Sequence, residues 1–268
     1  MTRKIEAPRL HTDIAWSTAD AIGVHGYDLT RDLIGKIDLG GMAFLSIMGR
    51  MPTANESTMI NALLVTLVEH GMTPSAIAAR MTYTGAPEAL QASVAAGLLG
   101  LGSVFVGSTE TAARMVGEGL AGRREGETLR QLADRLVAEF RESGAQIPGV
   151  GHPIHKPIDP RTPRLFAIAK ANGFSGDHVK LLQLVASRAE KVYGRSLPIN
   201  ATGAIGAISC EMGLPWQACR GLAVIARSVG LTGHLLEEAR RPMGKEIWRR
   251  VDDEASAHAR GRLRGKRR

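Results

Sequence analysis

The chain has 268 residues, 44% of them hydrophobic and 22% charged, with a formal net charge of +8. That length suits one or two domains around a sizeable core, and that balance is ordinary for a soluble globular protein. The longest apolar runs, such as Leu63–Val68, are far too short to span a bilayer, which excludes membrane-spanning classes of function. Aromatic residues make up only 4% while Ala, Gly and Leu abound, and small residues that let helices approach closely point to a helical protein.

The first 30 residues read as an extended arm with a turn. Ile22, Val24 and Tyr27 alternate loosely with Gly23, His25 and Gly26, enough for a short strand or hairpin. Residues 31–49 read as helix around a break at Gly40-Gly41, with Met42, Phe44, Leu45, Ile47 and Met48 as its apolar face. After the Arg50–Thr53 connector, Thr53 or Asn55 caps a helix to about Glu69. Met59, Ile60, Leu63, Leu64, Leu67 and Val68 form its buried stripe. His70-Gly71 ends it, and Thr73-Pro74 restarts a helix as cap and first-turn proline. Pro87 starts another through Leu90, Val94 and Leu98, closed by Gly100 and Gly102.

Ser108 caps the next helix, to about Val116, and the Gly-rich stretch 117–126 reads as a surface loop. Leu129, Leu132, Leu136, Val137 and Phe140 mark an amphipathic helix ending at Gly144. Helices follow at roughly 163–172, 176–193 and 201–212, and Gly213-Leu214-Pro215 starts the last long one, to about Arg240. No repeat period and no βαβ alternation appear, which excludes a solenoid and a doubly wound sheet.

Residues 255–268 carry Arg260, Arg262, Arg264, Lys266, Arg267 and Arg268 without an acid. Such a run suits nucleic acid or acidic lipid, but it is short and has no interleaved aromatics, so a frayed, solvated terminus is the reading. Nucleic acid and membrane are not expected as partners. Cys210 and Cys219 offer no CxxC or CxxH spacing, so neither a zinc site nor a disulfide framework is implied. The N-terminal MTRKIEAPRL lacks the apolar core of a signal peptide. With two unpatterned cysteines, that suggests a cytoplasmic protein.

Chemistry concentrates in GVGHPIHKPIDPR, residues 149–161. Prolines at 148, 153, 157, 160 and 163 forbid a continuous helix, so a rigid loop presents imidazole, ammonium and guanidinium groups together. His152 and His155 have no carboxylate or Cys partner at ligand spacing, so no metal is expected. Read alone, both are loop-packing residues.

In chain order, IGVHGYDLTRDLIG, LVEHGMTPSAIAAR, GVGHPIHKPIDPR, INATGAIGAISCEMGLP and VIARSVGLTGHLLEEARRP resemble five successive stretches of the citrate synthase superfamily. The likeness is greater to the citryl-CoA lyase module of ATP-citrate lyase than to a full citrate synthase. It implies an all-α, citrate-synthase-like two-domain fold: a large domain from residues 1–111 and 218–268, a small domain from 112–217, and an active-site cleft between them. It implies a homodimer or higher homo-oligomer, CoA as thioester substrate or product, a 2-oxo acid, and no metal.

Residue by residue, the resemblance gives His70 the hold on the oxo-acid or citryl group. His152 hydrogen-bonds the ketone oxygen and exchanges its proton with the hydroxyl. Arg161 and Arg227 clamp carboxylates, for which a guanidinium fork is suited. Arg241 is lent by the other subunit. Lys156 approaches the CoA phosphates, and the backbone of Gly149, Val150 and Gly151 contacts adenine. Apart from the resemblance, His70 reads as a helix-end residue, Arg227 as a surface partner of Glu237 or Glu238, and Lys156 as solvated.

Two positions depart from the pattern. Phe105 stands where citrate synthases have a His, a feature shared with the lyase module. Thr202 stands where the family has its catalytic Asp, and Thr cannot serve as a carboxylate base. The implied function is a citryl-CoA lyase-like retro-aldol cleavage giving acetyl-CoA (or another acyl-CoA) and a 2-oxo acid, with His152 taking the hydroxyl proton. The alternatives are a non-catalytic CoA or tricarboxylate binder and a condensing enzyme with an unusual substrate.

Overall fold

In the computed structural model residues 10–265 are described, with side chains through residue 259. The chain divides into two compact units, one ending at Ala62 and one beginning at Leu63.

In the first unit, strands β1 (Ala15–Ser17), β2 (Ile22–Val24) and β3 (Tyr27–Asp28) form an antiparallel sheet in that order. Val24 faces Tyr27 across His25 and Gly26, whose φ angles of 47° and 85° suit a two-residue primed turn. The expected hairpin gains β1 because Trp16 opposes Gly23, where the missing side chain leaves room for the indole. Residues 31–49 are not one helix. A π-helical turn at Leu29–Leu33 is capped by Asp28, and a separate helix α1 (Leu39–Met48) is capped by Asp38, which accepts from the Gly41 amide. Gly40 and Gly41 lie inside α1: a side chain at Gly40 would strike Asn61 at 2.4 Å. Close packing, and not a break, explains the pair. Val24, Leu33 and Leu45 are the buried centre, with Tyr27, Leu29, Ile37, Met42 and Met51 packed on them. Thr53 caps α2 (Ala54–Val68) as part of a capping box: the Glu56 amide donates to Thr53 Oγ1 and the Thr53 amide to Glu56 Oε2.

The second unit is helical. Thr73 caps α3 (Pro74–Gly85). Helix α4 (Leu90–Leu99) starts later than Pro87, which sits in the turn before it. Helix α5 (Gly107–Ala121) runs five residues past Val116. Its late glycines are packing positions, since Gly119 lies where a side chain would meet Leu136 at 3.2 Å. Ser108 is therefore inside the helix and not its cap. Then come α6 (Leu129–Ser143), α7 (Arg161–Ala171), α8 (Asp177–Tyr193), α9 (Ala201–Glu211) and α10 (Ala218–Arg240). Helix α5 packs on α9, α6 on α8, and α10 on α3 and α4. Ala76, Ala79, Leu231 and Leu235 form one buried centre, with Tyr83, Val94 and Leu98 against it.

The C-terminal segment is not frayed as expected. Helix α11 (Gly244–Gly265) continues the backbone through most of it. Early in that helix Glu246 pairs with Arg249 and Arg250, and Arg249 with Asp253, at helical spacing. The side chains of the basic run from Arg260 lie outside the described ones. Apart from β1–β3 and one bridge joining Val150 to Ile199, the described elements are helices, as the composition implied. Among the described residues no helix is long and apolar enough to cross a membrane. Both cysteines are free, and burial pushes the Cys210 thiol up to about 12 and Cys219 to about 11.

Candidate functional site

The loop from Gly149 is pinned to the start of α9 through its backbone. The Asn200 amide N–H donates to Gly149 O (3.0 Å) and the Gly151 N–H to Pro198 O (2.7 Å). The Asn200 side chain caps α9 through the Gly203 amide and donates to Gly151 O (2.7 Å). Gly149 has φ 77°, and a side chain there would meet Gly203 Cα at 2.4 Å. This close approach of two backbones is why both positions are glycine. At the other end of the loop, fully buried Asp159 joins α7 to α9. Its carboxylate accepts from the Arg161 amide, Nε (2.9 Å) and Nη2 (2.8 Å), and from the Ala201 amide (3.0 Å). Burial alone would raise the Asp159 carboxyl, but these four donors outweigh it and hold it at about 2.

Three imidazoles meet here. The ring centroids of His152 and His155 are 4.4 Å apart, those of His70 and His155 5.8 Å, and those of His70 and His152 6.3 Å. One nitrogen from each lies within 4.8 Å of the others. Burial, followed by the positive charges of Arg161, His155 and Arg227, lowers the His70 pKa. Burial and then His155 lower that of His152. Both rings are thereby held neutral at pH 7. The amides of Ile154 (3.1 Å) and His155 (2.9 Å) donate to His152 Nδ1. A neutral ring with Nδ1 accepting carries its hydrogen on Nε2. His152 therefore presents a donor at Nε2, its accepting nitrogen being occupied by two amides.

The same tautomer disfavours a metal, because His152 would have to surrender both amides to ligate through Nε2. The guanidiniums felt by His70 also repel a cation. The donor set suits an anion.

Arg161 spends one edge of its guanidinium on Asp159, so Nη1 is the nitrogen left to meet a ligand. Arg227, on α10, is only 9% exposed, and its Nε and Nη1 have no hydrogen-bond partner among the described residues. It is not a surface partner of Glu237 or Glu238; those acids pair with Arg80. A buried, unpaired guanidinium is costly unless an anion meets it.

Thr202 lies at the start of α9. Its hydroxyl donates to Asn200 Oδ1 (2.7 Å) and accepts from Ser108 Oγ (3.1 Å). The place expected of the family's Asp thus holds a pair of neutral hydroxyls, linked through Asn200 to Gly151. Phe105 is 52% exposed; its backbone oxygen accepts from Ser108 Oγ and its N–H donates to Gly102 O. Lys156 is exposed and, with Val150, Gly151, His152, Tyr193 and Arg195, lines a cavity of about 530 Å³. Arg241 caps the C-terminus of α10, where it is exposed; the Glu237 pKa is lowered chiefly by Arg80, with Arg241 a minor contributor. No contact among the described residues brings it to the imidazoles.

Sequence reading passed over the support behind His70. Arg80, fully buried on α3, donates to Glu238 (2.9 Å) and to His234, and pairs with Glu237. His234 Nε2 reaches Glu69 (3.1 Å), whose carboxylate accepts from the His70 and Gly71 amides. Gly230 permits this arrangement: a side chain there would meet Val68 O at 2.2 Å. The one available signal was the Arg at 80, an i+3 neighbour of the apolar Ile77.

The family described as "Citrate synthase, C-terminal domain" matches residues 37–250. A citryl-CoA lyase structure from Hydrogenobacter thermophilus is 37% identical, covering 85% of this chain and 86% of that one, with a TM-score of 0.78. The ATP citrate lyase of Methanothrix soehngenii, solved with citrate and coenzyme A, is 25% identical over 88% of this chain and 40% of that one, with a TM-score of 0.73. The Caenorhabditis elegans protein named "Probable ATP-citrate synthase" is 26% identical over 253 residues, 87% of this chain. This chain spans 22% of that relative's length and 33% of that of the Arabidopsis thaliana ATP-citrate synthase beta chain protein 2.

Proposed function

The chain belongs to the citrate synthase family, and from that premise we propose that it cleaves a citryl-CoA-type 3-hydroxyacyl thioester by retro-aldol chemistry. The products are acetyl-CoA, or another acyl-CoA, and a 2-oxo acid. The observation that carries this reading is the buried Arg227 guanidinium, its Nε and Nη1 without partners, beside the His70, His152 and His155 cluster and the free edge of Arg161. Two cations and two N–H-bearing imidazoles suit a substrate with several carboxylates and one oxygen that changes from hydroxyl to ketone.

In this reading Arg161 Nη1 and Arg227 clamp carboxylates, and His70 orients the citryl end. His152 Nε2–H donates to the oxygen on which charge develops, as a preorganised donor. The CoA portion enters the 530 Å³ cavity, with Lys156 and Arg195 toward its phosphates and the Gly149–Gly151 backbone toward adenine. The proposed smaller body, residues 112–217, closes on the rest, and a second copy brings Arg241. The neutral Thr202–Ser108 pair leaves no carboxylate to remove a proton from acetyl-CoA.

The test mixes purified protein with citryl-CoA and follows oxaloacetate and acetyl-CoA. Release of both above the buffer rate, lost by at least about 100-fold in Arg227→Ala, supports the proposal. Binding by calorimetry with no release refutes cleavage and favours the binder reading.

A further inference from the structure

We propose that His155 is the group that carries the proton in this site, taking it from the substrate hydroxyl and returning it to the departing carbon. The inference rests on the cleavage reading above and asks which group can do the proton work when the expected carboxylate is Thr202.

The surrounding groups are otherwise engaged. Asp159 is fully buried and holds four donors from Arg161 and Ala201. Glu69 is bound to His234 and to the His70 and Gly71 amides. The Thr202 and Ser108 hydroxyls are hydrogen-bonded to each other and do not ionise in the working range. His152 accepts two amides at Nδ1 and can only donate from Nε2. His70 faces the Arg161 and Arg227 charges, which weaken it as a base.

His155 differs in having an unengaged ring. Its ring nitrogens have no hydrogen-bond partner among the described residues, so either can accept. The turn that lets its amide donate to His152 Nδ1 also fixes its own ring 4.4 Å from that ring, tilted by 32°. It is half-buried, within reach of solvent for resetting. The donor and the acceptor of the reaction thus come from one tight turn of the loop. The titratable groups against it are His152 from the loop and His70 from the connector after α2; the charges of Arg161 and Asp159 act on both of those rings, and that of Arg227 on His70.

The step balances. His155 takes the hydroxyl proton, the carbon–carbon bond breaks, and its electron pair becomes the thioester enolate while the oxygen becomes the ketone held by His152. The hydroxyl oxygen and the departing carbon are attached to the same atom, so one ring can serve both. The imidazolium then protonates the enolate carbon, giving the acyl-CoA and restoring neutral His155. No metal, redox partner or second base is required.

The experiment compares wild type, His155→Gln and His155→Ala with citryl-CoA across pH, with folding checked by circular dichroism and CoA binding by calorimetry. Loss of general acid–base function is worth about 10²–10⁴ in kcat. The expected result is that loss in both variants, with KM within about threefold, a flattened acid limb in His155→Gln, and partial rescue of His155→Ala by free imidazole. Folded variants that turn over within about threefold of wild type, with the same pH profile, overturn the role of His155 and leave the cleavage reading standing. Absence of turnover in wild type removes the cleavage reading and this inference with it.

Discussion

Asp159→Asn separates the structural from the chemical part of the site. The carboxylate holds Arg161 by two parallel hydrogen bonds and also caps the first amide of α9. Its pKa falls from 3.8 to about 2 in the folded chain. A depressed folded pKa means stability that is fully present above the unfolded value and is lost as pH falls through the folded one. The difference corresponds to roughly 2–3 kcal/mol at neutral pH. The side chain is fully buried, so solvent screening does not reduce that figure much. Asparagine keeps one oxygen but turns an NH₂ toward a donor. Urea unfolding of wild type and variant should therefore differ by roughly 2–3 kcal/mol near pH 7, and about half of the gap should be gone by about pH 3. In the cleavage assay, KM should rise more than kcat falls, since Arg161 loses its fixed orientation. Equal urea midpoints at pH 7, or a gap that ignores pH, would show that Asp159 does not join α7 to α9 in the way described.

Arg80→Met leaves Glu238 buried without its charge partner and should cost about 3–5 kcal/mol in denaturant unfolding; adding Glu238→Gln should recover much of it. Gly203→Ala places a methyl 2.4 Å from Gly149 O, so it should destabilise by about 1–3 kcal/mol and weaken CoA binding. Gly221→Ala, inside α10 with no atom within 4 Å, should stabilise by about 0.4–1 kcal/mol. Thermal unfolding of that pair checks whether close packing or helix propensity sets the sign.

The helix ends that sequence reading placed well are those decided locally. Thr73-Pro74, the Gly144 terminus, the end near 193 and the start near 201 are set by caps that act through their own backbone and side chain. Errors gather where distant packing decided. Gly40-Gly41 read as a break and Gly117–Gly119 as loop, yet they sit in helices, with Asn61 packed against Gly40, Ile37 against Gly41 and Leu136 against Gly119. The basic terminus read as frayed, but Glu246 and Asp253 support a helix at its root.

The sequence alone determined that the chain is helical, and the ordered motifs around His70, His152, Arg161 and Arg227 pointed to one family. Periodicity and short-range motifs suffice for that, because they depend on neighbours along the chain. Only the tertiary structure decided the tautomer of His152, the shared edge of Arg161, the unpaired burial of Arg227 and the gathering of His155 with two other imidazoles. Each of these is a hydrogen-bond or charge relation set by three-dimensional placement, and residue order does not specify which nitrogen holds a proton or which cation lacks a partner.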